Sequence, residues 1–320
     1  MALLGFHASH EQLAPSALLD AVRLAEASGF TAAMSSDHFS PWSSRQGQSG
    51  FAWSWLGAAM QVTSLPFGVV TAPGQRYHPA IVAQAIATLA EMCPDRLWVA
   101  LGSGEASNEH ITGDPWPDKR VRNERLRECA GVMRALLAGE EVSYDGHVRV
   151  DRARLWTLPE VAPPLVGAAL TAETAAWMGD WADGLVTVYQ PLDELARVID
   201  AFRSNGGAAK HVYIQVHLSF ARDEDEALHI AHDQWRTNVF PSSLMADLAL
   251  VEEFDIAARY VRPDDVRSAV LVSSDTSRHA AWLQQVLELG VDGIYLHHVG
   301  KDQRIFLEAF GEKVLPEVAS

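Results

Sequence analysis

The sequence predicts an α/β fold, a (β/α)8 barrel formed by a single domain over residues 1–320. The main observation is that short apolar runs alternate with amphipathic helical segments, and about eight such strand–helix units fit a chain of this length. A doubly wound sheet is the competing architecture. The first apolar run, however, is not followed by the Gly-x-Gly-x-x-Gly pattern that opens a dinucleotide-binding fold, so the barrel is favoured.

The strands are predicted where apolar runs contain no alternating polar residues, because such runs are typical of parallel strands buried on both faces. Eight strands are expected in chain order, at residues 3–6, 31–34, 67–71, 97–101, 164–167, 184–188, 212–218 and 293–297.

The helices are predicted between these strands, and Pro15 and Pro79 open two of them because proline fits the first helical turn. They are expected at residues 15–28, 53–60, 79–92, 119–138, 171–178, 192–203, 223–235, 279–289 and 302–310.

Two segments do not fit the strand–helix alternation. Residues 142–158 alternate apolar and polar side chains around Asp145-Gly146, which predicts a β-hairpin. Residues 238–265 fit no unit and are predicted to be an insertion over the mouth of the barrel. Apolar residues such as Phe254 suggest a lid that shields a reduced flavin from water, and a surface helix packed on the barrel is the alternative.

The composition excludes several partners. A formal net charge of -16 argues against nucleic acid, and no basic run suggests a membrane surface. The chain has no signal-like start and no apolar run of about 18 residues, so a cytoplasmic protein that acts on a small molecule is expected.

Polar side chains follow two of the predicted strands, and the loops after barrel strands share one face. Asp37 and His38 follow the second strand, with Trp42 as an apolar wall nearby, and Glu105 follows the fourth. Histidine is suited to proton transfer near neutral pH, and Asp37 is placed to orient its ring. A structural histidine and a solvated acid at a helix start are the competing interpretations. Together the two strand ends favour an enzyme with His38, Glu105 and Trp42 as catalytic residues.

Two further features concern ligands. The adjacent pair His297-His298 resembles a metal site, but neighbouring residues on a strand point to opposite faces, so no metal is expected. Thr171 most simply caps the helix that follows it, and the same helix start is also a candidate site for a cofactor phosphate.

Three motifs in this order resemble the luciferase-like flavin oxidoreductase superfamily over nearly the whole chain: Ser36-Asp-His-Phe-Ser-Pro-Trp42, Arg76-Tyr-His-Pro79 and Gly102-Ser-Gly-Glu-Ala-Ser-Asn108. The nearest branch contains the glucose-6-phosphate dehydrogenase that depends on the deazaflavin coenzyme F-420, also written F420. The resemblance implies that His38 is the base, that Trp42 and Glu105 line the reaction site, and that a non-proline cis peptide joins Val69 to Val70. It also implies a cofactor site formed by Asp37, Val69, Val70, Thr71, Gly102, Ser103, Gly104, Asn108, Gly167, Ala168 and Thr171.

The departures from that dehydrogenase shape the expected function. Its later loops hold a sugar phosphate with cationic residues, whereas residues 238–269 contain no lysine here, so a sugar phosphate substrate is not expected. The turn Gly167-Ala-Ala-Leu-Thr171 and the stretch Gly47-Gln-Ser-Gly-Phe-Ala-Trp-Ser-Trp55 resemble a subfamily that has returned from the deazaflavin to ordinary flavin.

The resulting expectation is an FMN-dependent monooxygenase that uses reduced FMN on a small organic substrate. A flavin reductase is the candidate partner that supplies reduced FMN, and the family suggests a homodimer. The alternative is a hydride-transfer dehydrogenase or reductase that uses coenzyme F-420. A third possibility, from another class, is a non-flavin barrel that serves as a ligand-binding protein or a hydrolase.

Overall fold

The computed structural model describes residues 2–318, in which eight parallel strands close into a barrel. The barrel order is β1, β2, β3, β4, β7, β8, β9 and β11, and pairing of β11 with β1 closes it. This arrangement confirms the predicted (β/α)8 fold. The strands are β1 (Leu3–Ala8), β2 (Ala32–Ser36), β3 (Phe67–Thr71), β4 (Leu97–Leu101), β5 (Val142–Asp145), β6 (Arg149–Ala153), β7 (Leu165–Ala168), β8 (Gly184–Val188), β9 (His211–Ser219), β10 (Leu271–Val272) and β11 (Gly293–His298).

Helices surround the barrel, and local sequence signals set where several of them begin. Pro15 and Pro79 each occupy the first turn of a helix, and the Asp118 and Asp223 carboxylates cap two others by accepting backbone N–H bonds. None of the helices in residues 2–318 is long and apolar enough to cross a membrane. The helices are α1 (Pro15–Ala27), α2 (Ala52–Val62), α3 (Pro79–Met92), α4 (Ala106–Glu109), α5 (Lys119–Leu137), α6 (Ala172–Gly179), α7 (Leu192–Phe202), α8 (Glu224–Trp235), α9 (Ser242–Asp247), α10 (Val251–Ala257), α11 (Thr276–Leu287), α12 (Gln303–Ala309) and α13 (Leu315–Val318).

The two additions to the barrel are the hairpin and a short extra strand. Strands β5 and β6 pair antiparallel with Asp145 opposite Arg149, which confirms the predicted hairpin. Strand β10 extends the sheet by pairing with the end of β9. It was not predicted, because two residues are too few to show a periodic pattern.

The barrel interior is filled by large rings at its lower end. Trp98 stacks on Tyr213 with ring centroids 4.8 Å apart, and its indole N–H donates to the hydroxyl of Tyr295 over 3.0 Å. Gly5 and Gly68 lie directly against these rings, where a Cβ atom would overlap them. The lower half of the barrel is therefore packed, and only the end where the strands finish is free for ligands.

The predicted cis peptide between Val69 and Val70 is wrong, since no cis peptide occurs in the part of the chain that the structure describes. Both residues pair in unbroken parallel register, Val69 with Ser35 and Val99, and Val70 with Ser36 and Ala100. A ladder that is regular on both sides of β3 leaves no bulge in which the peptide would need to turn.

The segment over residues 238–265 lies across the mouth of the barrel, as the predicted insertion does, and contains α9 and α10. Phe254 in α10 is fully buried, and its ring packs edge-on against Trp42 at 5.4 Å. The Asp255 carboxylate accepts hydrogen bonds from the hydroxyls of Ser43 and Ser44, both at 2.6 Å. The segment is thus attached to the loop that follows β2. Its function as a lid stays a prediction.

Candidate active site

His38 lies between two carboxylates at the end of β2. Its Nδ1 atom is 2.5 Å from Oε1 of Glu11, and its Nε2 atom is 3.8 Å from Oε2 of Glu105. The Glu11 side chain is 3% exposed and also accepts a hydrogen bond from the Ser9 hydroxyl at 2.6 Å. The Glu105 side chain is 31% exposed, so the open side of the imidazole faces the mouth of the barrel.

Burial and mutual charge interactions shift the pKa values of His38, Glu11 and Glu105. Burial alone would lower the pKa of His38, but the Glu11 carboxylate outweighs it, so the pKa lies above its ordinary value. Burial opposes ionisation of Glu11 in the same way, yet the charge and contacts of His38 bring the pKa of Glu11 down to about 2. Burial raises the pKa of Glu105. The site therefore contains an ionised acid behind the histidine and, in front of it, an acid whose pKa burial shifts upward.

Glu11 was not predicted as a site residue. The sequence analysis ends the first strand at residue 6, whereas β1 continues to Ala8. With the observed end, Glu11 is the third residue after β1, close to the position that His38 occupies as the second residue after β2. The available signal was therefore the same strand-end pattern, shifted by two residues.

Asp37 does not orient His38, which corrects the predicted role. Its carboxylate accepts a hydrogen bond from the Thr71 hydroxyl at 3.0 Å and another from the Tyr77 hydroxyl at 3.3 Å. The Arg76 guanidinium lies 3.4 Å from the same carboxylate and also donates to the Asp37 carbonyl. These buried contacts of Asp37 fix the loop after β2. The residue placed to orient the His38 ring is Glu11. The side chain of Thr71 is likewise directed at Asp37.

Asn108 connects the two strand ends. Its Oδ1 atom accepts the backbone N–H of Phe39 at 2.8 Å, and its amide nitrogen donates to Glu105 at 3.2 Å. Because one side chain binds both loops, the separation of His38 and Glu105 is set by a short, buried link. The resemblance implied Asn108 as a cofactor residue, and the structure gives it a positioning contact within the protein.

Trp42 forms an apolar wall beside the histidine. Its ring meets that of His38 edge-on at 5.1 Å, and Phe254 supports it from behind. The structure therefore brings together the three residues predicted to be catalytic: His38, Glu105 and Trp42. Their function in catalysis stays a prediction.

The opposite side of the mouth is lined by three residues, which we call the small-residue half: Val70 on β3, Gly102 directly after β4 and Ala168 on β7. A Cβ atom built on Gly102 would meet only Ala168 Cβ and the Thr71 carbonyl, both 3.9 Å away. This open surface, next to a half-buried Ser103, fits the face of a flat ring such as a flavin or deazaflavin.

Three other residues implied for the cofactor site lie differently. The side chain of Val69 packs in the outer core between barrel and helices, and a Cβ on Gly167 would run into Met178 there. The Val69 side chain and the Cβ direction of Gly167 therefore point away from the mouth, because alternate residues on a strand point to opposite faces. Gly104 has φ +84, a conformation that favours glycine, and it makes the turn that presents Glu105.

Thr171 caps α6, with its hydroxyl accepting the backbone N–H of Thr174 at 3.3 Å. The cap is exposed at the rim of the small-residue half. A phosphate at this helix start stays a prediction.

Comparison with known proteins places the chain in a family. Residues 2–293 match the luciferase-like monooxygenase family. The F420-dependent glucose-6-phosphate dehydrogenase of Beutenbergia cavernae is 34% identical over 99% of this chain and 98% of the relative. The enzyme of the same name from Mycobacterium tuberculosis (strain CDC 1551 / Oshkosh) is 32% identical over 98% of this chain and 97% of the relative.

Solved structures agree with the sequence relatives. An F420-dependent secondary alcohol dehydrogenase in complex with an F420-acetone adduct superposes with a TM-score of 0.91 at 30% identity, covering 99% of both chains. The coenzyme F420-dependent tetrahydromethanopterin reductase from Methanopyrus kandleri has a TM-score of 0.79 at 20% identity over 99% of both chains, which supports the fold alone. The chain therefore belongs to the luciferase-like monooxygenase family and is a luciferase-like oxidoreductase.

Proposed function

We propose that the protein transfers a hydride between coenzyme F-420 and a small organic alcohol or ketone. The observation that carries the proposal is the position of His38, paired with Glu11 on one side and open to the barrel mouth on the other. The named relatives act with F420 and support the deazaflavin over FMN, which the sequence analysis had favoured.

The residues divide the chemistry as follows. A deazaflavin held in the mouth would supply the hydride chemistry, as the acceptor for alcohol oxidation and the donor for ketone reduction. His38 takes the hydroxyl proton during oxidation, and the Glu11 carboxylate stabilises the imidazolium that results. In the reverse direction the same imidazolium donates its proton to the carbonyl oxygen. Glu105, whose pKa is raised by burial, lies 3.8 Å from Nε2 of His38 and is the second acid–base group at the mouth.

The cofactor would lie on the small-residue half. The open surface at Gly102 accepts a flat ring, and the wall formed by Trp42 excludes water from the other side of the site. FMN would fit the same surface by shape, so the two cofactors have to be separated by experiment. A homodimer and a flavin reductase partner both stay predictions.

The test is a titration of the purified protein with coenzyme F-420, FMN and reduced FMN, followed by fluorescence. We expect the deazaflavin to bind most tightly and to lose its visible absorbance when isopropanol or cyclohexanol is added, without oxygen uptake. Tight binding of reduced FMN together with oxygen consumption would instead identify a monooxygenase. Binding of none of the three would contradict the proposal and favour the non-flavin barrel.

A further inference from the structure

Three histidines lie on neighbouring strands beside the proposed catalytic pair: the buried His7 on β1 and His297 on β11, and the half-buried His217 on β9. The rings of His7 and His297 stack with centroids 4.5 Å apart, and His217 lies 5.3 Å from His297. Trp235, at the end of α8, covers both His217 and His297 at 4.8 and 4.7 Å. The cluster forms one side of the mouth, which we call the imidazole half.

The imidazoles are neutral. Burial lowers the pKa of His7 to about 3, that of His217 to about 4, and that of His297 well below its ordinary value. Among the described residues there is no group of histidine, cysteine or acidic side chains that could hold a metal ion. Each ring therefore carries a single proton, on one nitrogen or the other.

A chain of hydrogen bonds decides which nitrogen carries that proton. It begins at the Val299 backbone carbonyl, which can only accept, and which is contacted by the Gln12 side-chain nitrogen. The Gln12 oxygen must then be the group facing Nε2 of His297, 2.8 Å away, so this Nε2 donates. A neutral His297 has its Nδ1 atom left as an acceptor.

The same reasoning continues to the last ring. The side-chain nitrogen of Gln215 is 3.4 Å from Nδ1 of His297 and 3.1 Å from Nε2 of His217. Gln215 donates to both, so Nε2 of His217 is an acceptor and its proton must be on Nδ1. This Nδ1 atom has no hydrogen-bond partner among residues 2–318, and, unlike Nδ1 of His7, it is not fully buried.

We propose that His217 is a specificity-determining residue that binds the substrate through this Nδ1–H, and that the substrate offers it an uncharged oxygen, either carbonyl or hydroxyl. This inference rests on the proposed function in taking the bound molecule to be the substrate of the reaction. The binding of an uncharged oxygen at His217 does not depend on that function. Within residues 2–318, His217 contacts Gln215, His297 and Trp235, and none of these carries a positive charge that could balance an anionic group. The charge felt by His217 is the negative one of Glu11, which disfavours an anion further.

The first experiment observes the proton itself. Protein labelled with ¹⁵N-histidine should show His217 as the Nδ1–H tautomer by NMR, and cyclohexanol should shift that nitrogen, with or without the deazaflavin bound. Cyclohexanecarboxylate, an anion of similar size, should not. An Nε2–H tautomer, no response to cyclohexanol, or an equal response to the carboxylate would overturn the inference.

The second experiment uses variants that separate the two nitrogens. In His217→Asn the amide nitrogen takes the place of Nδ1 and keeps the donor, whereas His217→Phe removes it. The Phe variant should raise the KM for cyclohexanol roughly tenfold, as expected for one lost neutral hydrogen bond, with a smaller change in kcat. The Asn variant should restore most of the affinity.

The outcomes separate this inference from the proposed function. If the deazaflavin is reduced normally but both variants bind cyclohexanol like the parent protein, His217 is not a substrate ligand and the proposed reaction stands. If the deazaflavin is not reduced by any alcohol while cyclohexanol still shifts His217, the reaction is wrong and the binding site stands.

Discussion

The imidazole half of the mouth differs from the small-residue half in both side-chain size and hydrogen bonding. On β9 and β11 the inward positions carry His217 and His297, whose ring nitrogens contact glutamine side chains, and on β1 the His7 ring contacts the Ser36 hydroxyl. On the opposite side, Val70 on β3, Gly102 directly after β4 and Ala168 on β7 leave an open apolar surface. One barrel thus presents polar recognition on one side and room for a flat group on the other, with His38 between them.

The largest expected effect comes from removing the residue between the two halves. His38→Ala should lower turnover by about 10²–10⁴-fold, because proton transfer to a positioned base contributes on that order. Deazaflavin affinity, measured by fluorescence titration, should change little. His211→Ala is the control, since its ring is 65% exposed and far along the strand from the mouth. Loss of cofactor binding with normal turnover at saturation would show that His38 positions the cofactor instead.

A larger side chain in the small-residue half should weaken cofactor binding rather than impair proton transfer. Gly102→Val places methyl groups on the open surface and should weaken deazaflavin binding at least tenfold, because overpacking commonly costs about 1–3 kcal/mol. The melting temperature should be nearly unchanged, since a Cβ atom has room there. Unchanged affinity would show that the ring binds elsewhere.

Removing the charge behind His38 should shift the pH profile. In Glu11→Gln the carboxylate that raises the pKa of His38 is lost, so that pKa falls. Alcohol oxidation requires the neutral imidazole, and the rise of kcat with pH should therefore occur at lower pH than in the parent protein. Ser9→Ala keeps the carboxylate and should leave the profile nearly in place. A profile that does not move in Glu11→Gln would mean that another group titrates.

The neutral histidines should make the fold sensitive to mild acid. The pKa of His7 is about 3 in the folded protein against an ordinary 6.5, so the unfolded chain binds protons first and stability falls as pH drops below 6.5. At one pH unit below 6.5, each such neutral histidine lowers the free energy of unfolding by about 1.4 kcal/mol.

His7→Phe should reduce this loss, as measured by urea unfolding at pH 7.5 and about 5.5. Glu11 and His38 are present in both proteins, so the pH dependence that their own titrations add cancels in the comparison. Equal pH dependence in the two proteins would contradict the neutral state of His7.

The smallest expected effect concerns the rim of the small-residue half. Thr171→Asp keeps a side chain that caps α6 but adds a negative charge where a cofactor phosphate is predicted. Affinity for the cofactor should fall a few-fold, since charges at exposed helix ends are worth about 0.3–1 kcal/mol. Thr171→Ser is the matched control. If both variants bind equally, the phosphate lies elsewhere.

The fold was predictable because its strands are buried on both faces and appear as uninterrupted apolar runs. His38 and Glu105 were predictable for a related reason, since each stands where such a run stops. Glu11 was missed because Ala8 and His7 do not look apolar enough to extend β1, and the strand end was placed at residue 6.

The imidazole cluster was not predictable for a different reason. His7, His217 and His297 are separated by about 80 residues or more in sequence, and no local pattern connects the three strands that carry them. Only barrel closure, which pairs β1 with β11 and β11 with β9, brings them together. A weak signal did exist in β9, where Gln215 and His217 alternate with buried aliphatic residues and so point inward together.

The segment over residues 238–265 is attached to the loop after β2, so a movement that opens the mouth to a ligand would also displace residues of the site. Asp255 binds Ser43 and Ser44, and Phe254 rests on Trp42, so the segment and the loop after β2 are joined at two points. If α10 swings outward, it draws this loop with it and separates the Trp42 ring from His38. Entry of a ligand and dismantling of the site are then the same movement. If the segment is a lid, the open molecule would admit its substrate in an inactive arrangement, and the reaction would require α10 and the loop after β2 to close again.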